Sequence, residues 1–487
     1  MTATPKIASS AYDVAVADLL RLGHELHAPP SHKFDLAHMR ALLGALGNPE
    51  RRFASVLIAG TNGKGSTAAT LHSILRSAGF RAGLYTSPHL VRANERIAVD
   101  GDEISDPEFA EIHGRVEQAA QRLVKSGELP WHPSFFEMLT AMAFEYFASS
   151  GVEIAVLEVG MGGRLDATNV VDPCVAVIAD IALDHQNFLG NTLTEIAREK
   201  AGIIRPGGVV VTLPQHPEAN DVIGNTILER EARGVSAVEY VPILTPKGTF
   251  DSRGESPESR PPSPESRVPS TGKQTDLETR SPKLETSYEL SVLGEQITVA
   301  SPLVGRHQLR NIALAIAAAI ELKQFGFEVT PAQIEAGIRD TKWPGRFQML
   351  PASGSRPEIV LDVAHNPAGA WALRSALSQY YEGRPIIFIF GAMRDKAISE
   401  IAQILFPLAE CVIATQAATP RAASPQQISE AAAVVGAEVI CEGSVAAALE
   451  RARALTPKMA QSATPVVVIT GSIYIVGEAL EQLALGR

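Results

Sequence analysis

A glycine-rich turn near the start of the chain has the residue types and spacing to hold phosphate. Residues 60–67 read Gly-Thr-Asn-Gly-Lys-Gly-Ser-Thr and follow a short apolar run. Backbone N–H groups of such a turn can surround phosphate oxygens, and a following helix adds the positive end of its dipole. Lys64 would bring a positive charge to the outer phosphates, and Ser66 a hydroxyl. This pattern predicts a nucleotide site; a plain strand-to-helix turn is the alternative.

The turn departs from the strict nucleotide-loop pattern G-x-x-x-x-G-K-[ST] in two places. Ile58 stands where the first glycine belongs, and Gly65 separates Lys64 from Ser66. The pattern alone therefore indicates phosphate binding without specifying the class of enzyme.

Polar residues near other apolar runs are further candidates for chemistry. Glu158 and Asp362 each lie near the end of a run, and His365 follows Asp362 in the same turn. Sheets of α/β proteins present functional groups at the carboxyl ends of their strands. Each residue also has a structural interpretation, because carboxylates cap helices and a single histidine, such as His185, is often only a hydrogen-bonding residue.

Alternating strand-like and helix-like segments would position these residues. The predicted strands are 54–59, 81–86, 153–159, 175–181 and 208–213, and later 359–363, 386–390, 411–414 and 466–470; the predicted helices include 64–78, 194–202 and 307–322. Continuous apolar strands separated by helices are typical of a parallel sheet covered on both faces. The pattern restarts in the second half, so we predict two α/β domains, 1–300 and 301–487.

Residues 245–287 differ from the rest of the chain in composition. They are rich in Pro, Ser, Glu and Arg and nearly lack large apolar side chains. Such a segment cannot bury enough surface to offset its ordering entropy. We predict a disordered surface insertion, with a docking or phosphorylated segment as the alternative.

Length and composition exclude several classes of protein. The chain has 487 residues, 45% of them hydrophobic, and a net charge of −11. This charge disfavours a nucleic-acid-binding protein, and no apolar run reaches the roughly 18 residues of a membrane span. Three widely separated cysteines support neither a disulfide framework nor a zinc site. We therefore expect a cytoplasmic enzyme with no nucleic-acid or membrane partner.

Several segments together resemble the Mur ligase superfamily, and in particular its folate branch, the dihydrofolate synthase/folylpolyglutamate synthase family. They are the GKGS variant of the loop at 63–66, YTSPHL at 85–90, NERI at 94–97, LEVGMGGRLDATN at 157–169, ALDH at 182–185, EKAGI at 199–203, WPGR at 343–346, LDVAHNP at 361–367 and TGSIY at 470–474. Their order and spacing cover nearly the whole chain except its ends and the insertion.

The resemblance implies an N-terminal P-loop-type ATPase domain with a mostly parallel sheet, which binds ATP and the pterin, and a smaller C-terminal Rossmann-like glutamate-ligase domain. It implies an ATP-dependent ligase that adds L-glutamate to dihydropteroate, and to tetrahydrofolate, through an acyl phosphate. Two Mg²⁺ ions and a monomer are expected. The SPHL and LDA segments, at 87–90 and 165–167, are similar to the bifunctional type.

The resemblance also implies roles for individual residues. ATP is assigned to Asn62, Gly63, Lys64, Gly65, Ser66, Asn311, Arg346 and Asp362; the metal to Ser87, Glu158 and His185; and the pterin to Ser134, Phe135, Phe136, Glu137, Leu165, Asp166 and Ala167. Lys200 matches a lysine that is carbamylated in the superfamily. Lys64, His185, Lys200 and His365 are the implied catalytic residues.

Alternatives remain for both the residues and the function. Phe135 and Phe136 could simply pack in a core, and Lys200 could be a surface lysine. A monofunctional folylpolyglutamate synthase and a muramyl-peptide ligase are alternatives within the superfamily. A nucleotide-gated switch would hydrolyse ATP regardless of glutamate, and a phosphotransferase would release a stable phosphorylated product.

Overall fold

Two mostly parallel sheets flanked by helices, and two antiparallel two-stranded sheets, make up the computed structural model, which describes residues 10–23, 35–244, 250–251, 284–354, 356–459 and 463–485. The helices are α1 Ala11–Arg21, α2 Leu36–Ala45, α3 Lys64–Ser77, α4 Asp106–Ser126, α5 Phe135–Ser149, α6 Gln186–Leu189, α7 Leu193–Ala201, α8 Pro217–Glu229, α9 Arg306–Glu321, α10 Pro331–Arg339, α11 Pro367–Tyr380, α12 Ile398–Leu405, α13 Pro425–Ala433, α14 Val445–Met459 and α15 Ile473–Leu485. The strands are β1 Ala54–Ala59, β2 Ala82–Tyr85, β3 Ile97–Val99, β4 Asp102–Glu103, β5 Ile154–Glu158, β6 Val175–Ile178, β7 Val209–Thr212, β8 Arg233–Ser236, β9 Ile243–Leu244, β10 Phe250–Asp251, β11 Thr286–Val292, β12 Glu295–Ser301, β13 Gln348–Leu350, β14 Glu358–Leu361, β15 Ile386–Phe390, β16 Cys411–Ala414, β17 Val439–Cys441 and β18 Val466–Thr470. The two-stranded sheets are β9-β10 and β11-β12.

The first sheet has eight strands in the order β4-β3-β2-β5-β1-β6-β7-β8. Only β3 and β4, at one edge, run antiparallel to their neighbours. Strand β1 lies in the interior and pairs in parallel with β5 and β6. Its side chains alternate between two cores, with Leu57 and Ala59 on one face and Val56 and Ile58 on the other. Burial on both faces explains why the run is continuously apolar.

Helices α9 and α10 pack against α3 and so extend the layer over the first sheet. The contact is close, because a Cβ added to Gly337 in α10 would collide with the backbone of Ile74 in α3. Both helices follow residue 300, at which the sequence predicts a boundary. The boundary at residue 300 stays a prediction. Because α9 and α10 pack on the first sheet, we propose that the domains divide later, near residue 344.

The second sheet has six strands in the order β13-β14-β18-β15-β16-β17, and only β13 is antiparallel. Helices α11, α12 and α13 pack on one face, and α14 and α15 on the other. The α/β fold with a smaller second sheet is therefore confirmed.

Most element boundaries lie close to their predicted positions. The strand 54–59 and those at 386–390, 411–414 and 466–470 are found at the predicted residues, and the helix at 64–78 ends one residue early. Of the predicted insertion, 245–249 and 252–283 lie outside the described residues. Thr286 and Ser287 instead belong to β11, in which alternate side chains are buried. No helix within the described ranges has the length and apolar character of a membrane span.

A loop of the first domain reaches into the second. Leu90 packs against the core cluster on the α14–α15 face of the second sheet. Gly345 lies beneath its side chain, since a Cβ there would be 3.2 Å from Leu90 Cδ2. A Cβ on Gly477 in α15 would collide with the Leu90 carbonyl oxygen. The missing side chains of two glycines thus allow the domains to meet at this loop.

Gly477→Ala is expected to destabilise the protein, although alanine is normally the better helix former by about 1 kcal/mol. The added methyl group must displace either α15 or the backbone at Leu90, and overpacking of this kind costs about 1–3 kcal/mol. Thermal unfolding would measure the change. Gly224→Ala in α8 is the matched control, because a Cβ there has no neighbour within 4 Å. A melting temperature of Gly477→Ala at or above that of the wild type would contradict the contact.

Candidate active site

One cavity of about 1010 Å³ lies between the two sheets and draws its lining from both domains. Every residue to which the sequence assigns a role in binding or catalysis lines it. The structure therefore brings these residues together. Their individual roles stay predictions, and each depends on the local geometry described below.

The phosphate loop joins the end of β1 to the start of α3. Gly63 precedes the helix with a φ of 85°, in the left-handed region that favours glycine. A Cβ on Gly63 would collide with the Asn311 amide, and one on Gly65 would lie 2.5 Å from the Trp343 ring. The extra glycine that breaks the strict pattern thus leaves room for Trp343.

Lys64 and Lys200 bring two cationic groups to this loop. Lys64, the first residue of α3, is near its own turn, with Nζ 3.4 Å from the Thr61 carbonyl oxygen. Lys200, in α7, is buried and donates from Nζ to the Gly60 carbonyl oxygen at 2.8 Å. Burial, together with repulsion from Lys64, lowers the pKa of Lys200 to about 7. The alternative interpretation of the sequence, in which Lys200 is a surface lysine, is therefore wrong.

Glu158 is the last residue of β5 and lies 5% exposed beside the loop. Its Oε2 accepts a hydrogen bond from the Ser87 backbone N–H at 3.1 Å. Burial raises the pKa of its carboxyl, although the Lys64 charge and the Ser87 N–H act in the opposite direction. A buried carboxylate with one hydrogen-bond donor and a nearby cation can hold a further positive charge.

His185 has an unusual backbone, with a φ of 50° at the residue before α6. Left-handed backbone at a non-glycine residue is uncommon and recurs at functional sites. Burial is the main cause that lowers the pKa of its imidazole to about 4. The ring is therefore neutral at neutral pH and has a lone pair for a metal or a proton.

The Asp184 carboxylate is where the two domains meet in the cavity. Its side chain is 8% exposed, and Lys396 of the second domain lies 2.6 Å from Oδ1. His365 Nε2 lies 3.5 Å from Oδ2, and Asn366 donates to the same oxygen at 3.3 Å. Burial alone would raise the pKa of Asp184. The hydrogen bond from His365 and the surrounding positive charges outweigh burial and hold that pKa far below its ordinary range.

One further contact connects the second domain to the nucleotide loop. Asn366 Nδ2 donates to Asn62 Oδ1 at 3.0 Å. Asp362 is engaged locally, because its two oxygens accept the backbone N–H groups of Phe347 and Ala364, each at 2.9 Å. The bond to Ala364 fixes the turn that carries His365, and the bond to Phe347 fixes the segment that carries Arg346. Burial lowers the pKa of the Arg346 guanidinium, and Asp362 partly compensates.

Aromatic and small residues form another part of the cavity lining, called the aromatic end below. Phe136 packs so closely over Gly160 that a Cβ on the glycine would lie 2.5 Å from the ring. Phe135 is 5% exposed and belongs to the main core. Ser134 and Glu137 form a capping box at the start of α5, a role that their S-x-x-E spacing also indicates. Asp166 is buried and accepts the Met161 N–H at 2.9 Å.

Sequence reasoning did not single out Asp184 and Lys396 as site residues. Asp184 lies within the segment 182–185, next to His185, and neither the residue pattern nor the family resemblance assigns it a role. Lys396 ends the charged run 394–396, and such runs are typical of solvated surface. In the structure, however, its side chain is only 9% exposed and forms an ion pair with Asp184 of the first domain.

Comparison with known proteins decides the family. The chain is 33% identical to folylpolyglutamate synthase of Lacticaseibacillus casei over 93% of its own length and 95% of that protein. It is 31% identical to dihydrofolate synthase/folylpolyglutamate synthase of Bacillus subtilis, over 92% and 94% of the two chains. The chain belongs to the dihydrofolate synthase/folylpolyglutamate synthase family. It is therefore an ATP-dependent ligase, and the resemblance read from its motifs is confirmed.

A solved structure and a domain family agree with this assignment. E. coli FolC in complex with DHPP and ADP matches with a TM-score of 0.77 and 29% identity, over 99% of this chain and 100% of that one. Residues 345–473 match the family described as Mur ligase, glutamate ligase domain. This match includes the turn that carries His365, and it includes Lys396, which pairs with Asp184 of the first domain.

Proposed function

We propose that this ligase adds L-glutamate to dihydropteroate and also to tetrahydrofolate, in the one cavity between its domains. The observation that carries the proposal is the lining of that cavity, which joins a phosphate loop to an aromatic end and is completed by residues of a glutamate-ligase domain. A carboxylate oxygen of the folate attacks the γ-phosphorus, and ADP leaves. The glutamate amine then attacks the acyl carbon, phosphate leaves and one proton is released.

The nucleotide end comprises the loop at 60–66 with Asn311 and Arg346. Lys64 and Arg346 supply the positive charges that the transferred phosphoryl group requires. Asn311 lies against Gly63 and beside Gln308, to which its Nδ2 donates at 2.8 Å. This position supports a role for Asn311 at the nucleotide. Asp362 acts through the turn that it fixes, next to Arg346.

Magnesium fits the residues beside this loop. Glu158 is a buried carboxylate, and the Ser87 hydroxyl and the neutral His185 ring, which line the same cavity, add two further donors. No group of three His, Cys, Asp or Glu residues in the described parts of the chain could hold a metal by itself. Mg²⁺ usually takes one or two protein carboxylates and completes its shell with phosphate oxygens and water. Ser87, Glu158 and His185 would hold it and would depend on ATP for the remaining ligands; the ion would neutralise phosphate charge.

The folate lies toward the aromatic end, with its carboxylate at the loop. Phe136, half-buried over Gly160, offers a ring face on which a pterin can stack. Leu165, Asp166 and Ala167 also line the cavity. Ser134, Phe135 and Glu137 shape this end through the cap and core contacts that fix the start of α5.

Glutamate enters at the side of the second domain, beside His365 and Lys396. Asp184 is a poor base, because its pKa lies far below the ordinary range. Its role in this proposal is to hold His365 and Lys396 in place for the amino acid, whose two carboxylates require cationic partners. Removing one partner of a buried ion pair usually costs about 3–5 kcal/mol, so the contact of Asp184 with Lys396 also favours the arrangement in which the two domains meet here.

One copy of the chain in the cytoplasm is sufficient for this activity. All of the assigned residues come from a single chain, so we expect a monomer. Cys174, Cys411 and Cys441 are free, which suits a reducing compartment.

Lys200 is suited to carbamylation. A neutral amine adds CO₂ to give a carbamate anion and a proton, and a pKa of about 7 makes that neutral amine abundant at neutral pH. Its neighbour Lys64 would then face an anion in place of a cation. A carbamate at this position would provide oxygen ligands for a second Mg²⁺.

Carbamate formation on Lys200 is expected to rise as the pH passes upward through about 7, because the proton is lost from a group whose pKa burial has lowered. Carbon-13 NMR of protein equilibrated with labelled bicarbonate would detect the adduct. The signal should vanish in Lys200→Ala and persist in Lys323→Ala, whose exposed amine pairs with Glu328. An unchanged signal in Lys200→Ala would contradict the assignment.

The central test of the proposed function is ADP release with ATP, Mg²⁺, L-glutamate and different acceptors. We expect release with both 7,8-dihydropteroate and tetrahydrofolate, each product being one glutamate heavier by mass spectrometry. A chelator should abolish release, and Lys64→Ala should lower it at least tenfold because the phosphate loop loses its charge.

Other outcomes of this assay would contradict parts of the proposal. Release with tetrahydrofolate alone indicates a monofunctional folylpolyglutamate synthase and contradicts the first half of the proposal. Release that is independent of acceptor and glutamate indicates an ATP-hydrolysing protein. Near-normal turnover of Lys64→Ala would remove the phosphate-loop assignment.

A further inference from the structure

Arg310 forms an ion pair with Asp180 at the nucleotide end of the cavity. Its Nε lies 2.9 Å from Oδ1 and 3.1 Å from Oδ2, and its Nη2 lies 2.6 Å from Oδ1. Nη2 also donates to the Pro214 carbonyl oxygen at 2.9 Å. Arg310 therefore connects α9 with the segments that follow β6 and β7.

The backbone of Asp180 holds the phosphate loop. Its carbonyl oxygen accepts the N–H groups of Thr61 and Asn62, at 2.8 and 3.1 Å. The Thr61 hydroxyl donates to the Ala182 carbonyl oxygen at 3.0 Å and so ties the loop to the same segment. The first part of the loop thus depends on where residues 180–182 lie.

The first turns of α9 contact the loop a second time. Asn311, the residue after Arg310, lies against Gly63. One short stretch of helix therefore fixes the tip of the loop directly and its base through Asp180.

The second end of α9 provides an internal comparison. Glu321, the last residue of the helix, pairs with Arg233 of β8. This pair also uses two guanidinium nitrogens, but neither residue lines the cavity. The two pairs bind the same helix to the same sheet, and only one of them touches a segment that holds the phosphate loop.

We propose that Arg310 is a positioning residue for ATP, which acts through Asp180 to hold the phosphate loop in its binding conformation. The inference rests on the proposed phosphate-loop assignment and adds a residue outside the loop to it. Both side chains are about one-third exposed, at 31% and 34%, so charge attraction alone would be weak. The planar fork of arginine, which makes three contacts with one carboxylate and a fourth with Pro214, fixes the direction of the segment.

Arg310→Gln is expected to raise the dissociation constant for ADP and the KM for ATP at least tenfold, with kcat within threefold of the wild type. Asp180→Asn should act in the same direction, and the double variant should be no worse than the weaker-binding single variant. Arg310→Lys keeps the charge without the fork and should lie between the wild type and Arg310→Gln. Calorimetry with ADP and steady-state kinetics would measure these changes on the full chain.

Arg233→Gln is the matched control, and its ADP affinity should stay within twofold of the wild type. Each of the two substitutions removes an ion pair of α9, so both would lower stability in a similar way. A loss of ADP affinity in Arg310→Gln alone would therefore come from the position of the phosphate loop. Equal losses of affinity in Arg233→Gln and Arg310→Gln would overturn the inference.

Three other results would also overturn it. A silent Asp180→Asn beside an impaired Arg310→Gln would mean that Arg310 contacts the nucleotide directly. Wild-type affinity in Arg310→Gln would mean that the pair does not matter, while the phosphate-loop assignment would survive. Failure of the wild type itself to bind ADP would overturn both the inference and that assignment.

Discussion

A buried carboxylate must have positive partners, and the shortest ion pair of Asp184, 2.6 Å long, is with a residue of the second domain; the imidazole of His185, in its own domain, lies farther away, with Nε2 3.9 Å from Oδ2. Its own domain provides the backbone N–H of His185, at 2.8 Å, but the ammonium group of Lys396 and the side chains of His365 and Asn366 come from across the cavity. Replacing a buried ion pair by apolar residues often preserves stability, whereas leaving one charge without its partner is costly. The contact is therefore better understood as a condition on domain arrangement than as a source of stability. The rest of the cavity depends on that arrangement.

The absence of side chains at particular glycines matters for the same reason. Because Gly63 and Gly65 have no side chains, Asn311 and Trp343 can lie against the phosphate loop. In the same way, the Leu90 carbonyl can lie against α15 at Gly477. Leu90 follows Ser87, whose N–H contacts Glu158. A single loop thus runs from the carboxylate assigned to the metal to the surface on which the second domain sits. The residues proposed for phosphate, metal and amino-acid binding are thus connected by close contacts, some of which join the two domains.

The sequence was sufficient to predict the parts of the site that are local in the chain. A glycine-rich turn between an apolar run and a helix specifies its own geometry, and Glu158 at a strand end follows from parallel-sheet topology. Contacts between distant segments have no such signal. The pairing of Lys396 with Asp184 joins residues 212 positions apart, and the run 394–396 reads as solvated surface. Phe135 was assigned to the pterin as one of two interpretations, and the structure includes it in the core because α5 presents that position inward.

The most direct test of this account measures whether Asp184 holds the domains together. Spin labels would be attached through Leu228→Cys in α8 and Val434→Cys after α13, which are 76% and 69% exposed, with the three native cysteines replaced by serine. Pulsed electron paramagnetic resonance then gives the distribution of distances between the labels. We expect one narrow distance in the parent and in Glu442→Gln, which loses only a half-exposed ion pair with Arg451. Asp184→Asn should broaden the distribution toward longer distances. An unchanged narrow distribution in Asp184→Asn would contradict the central claim.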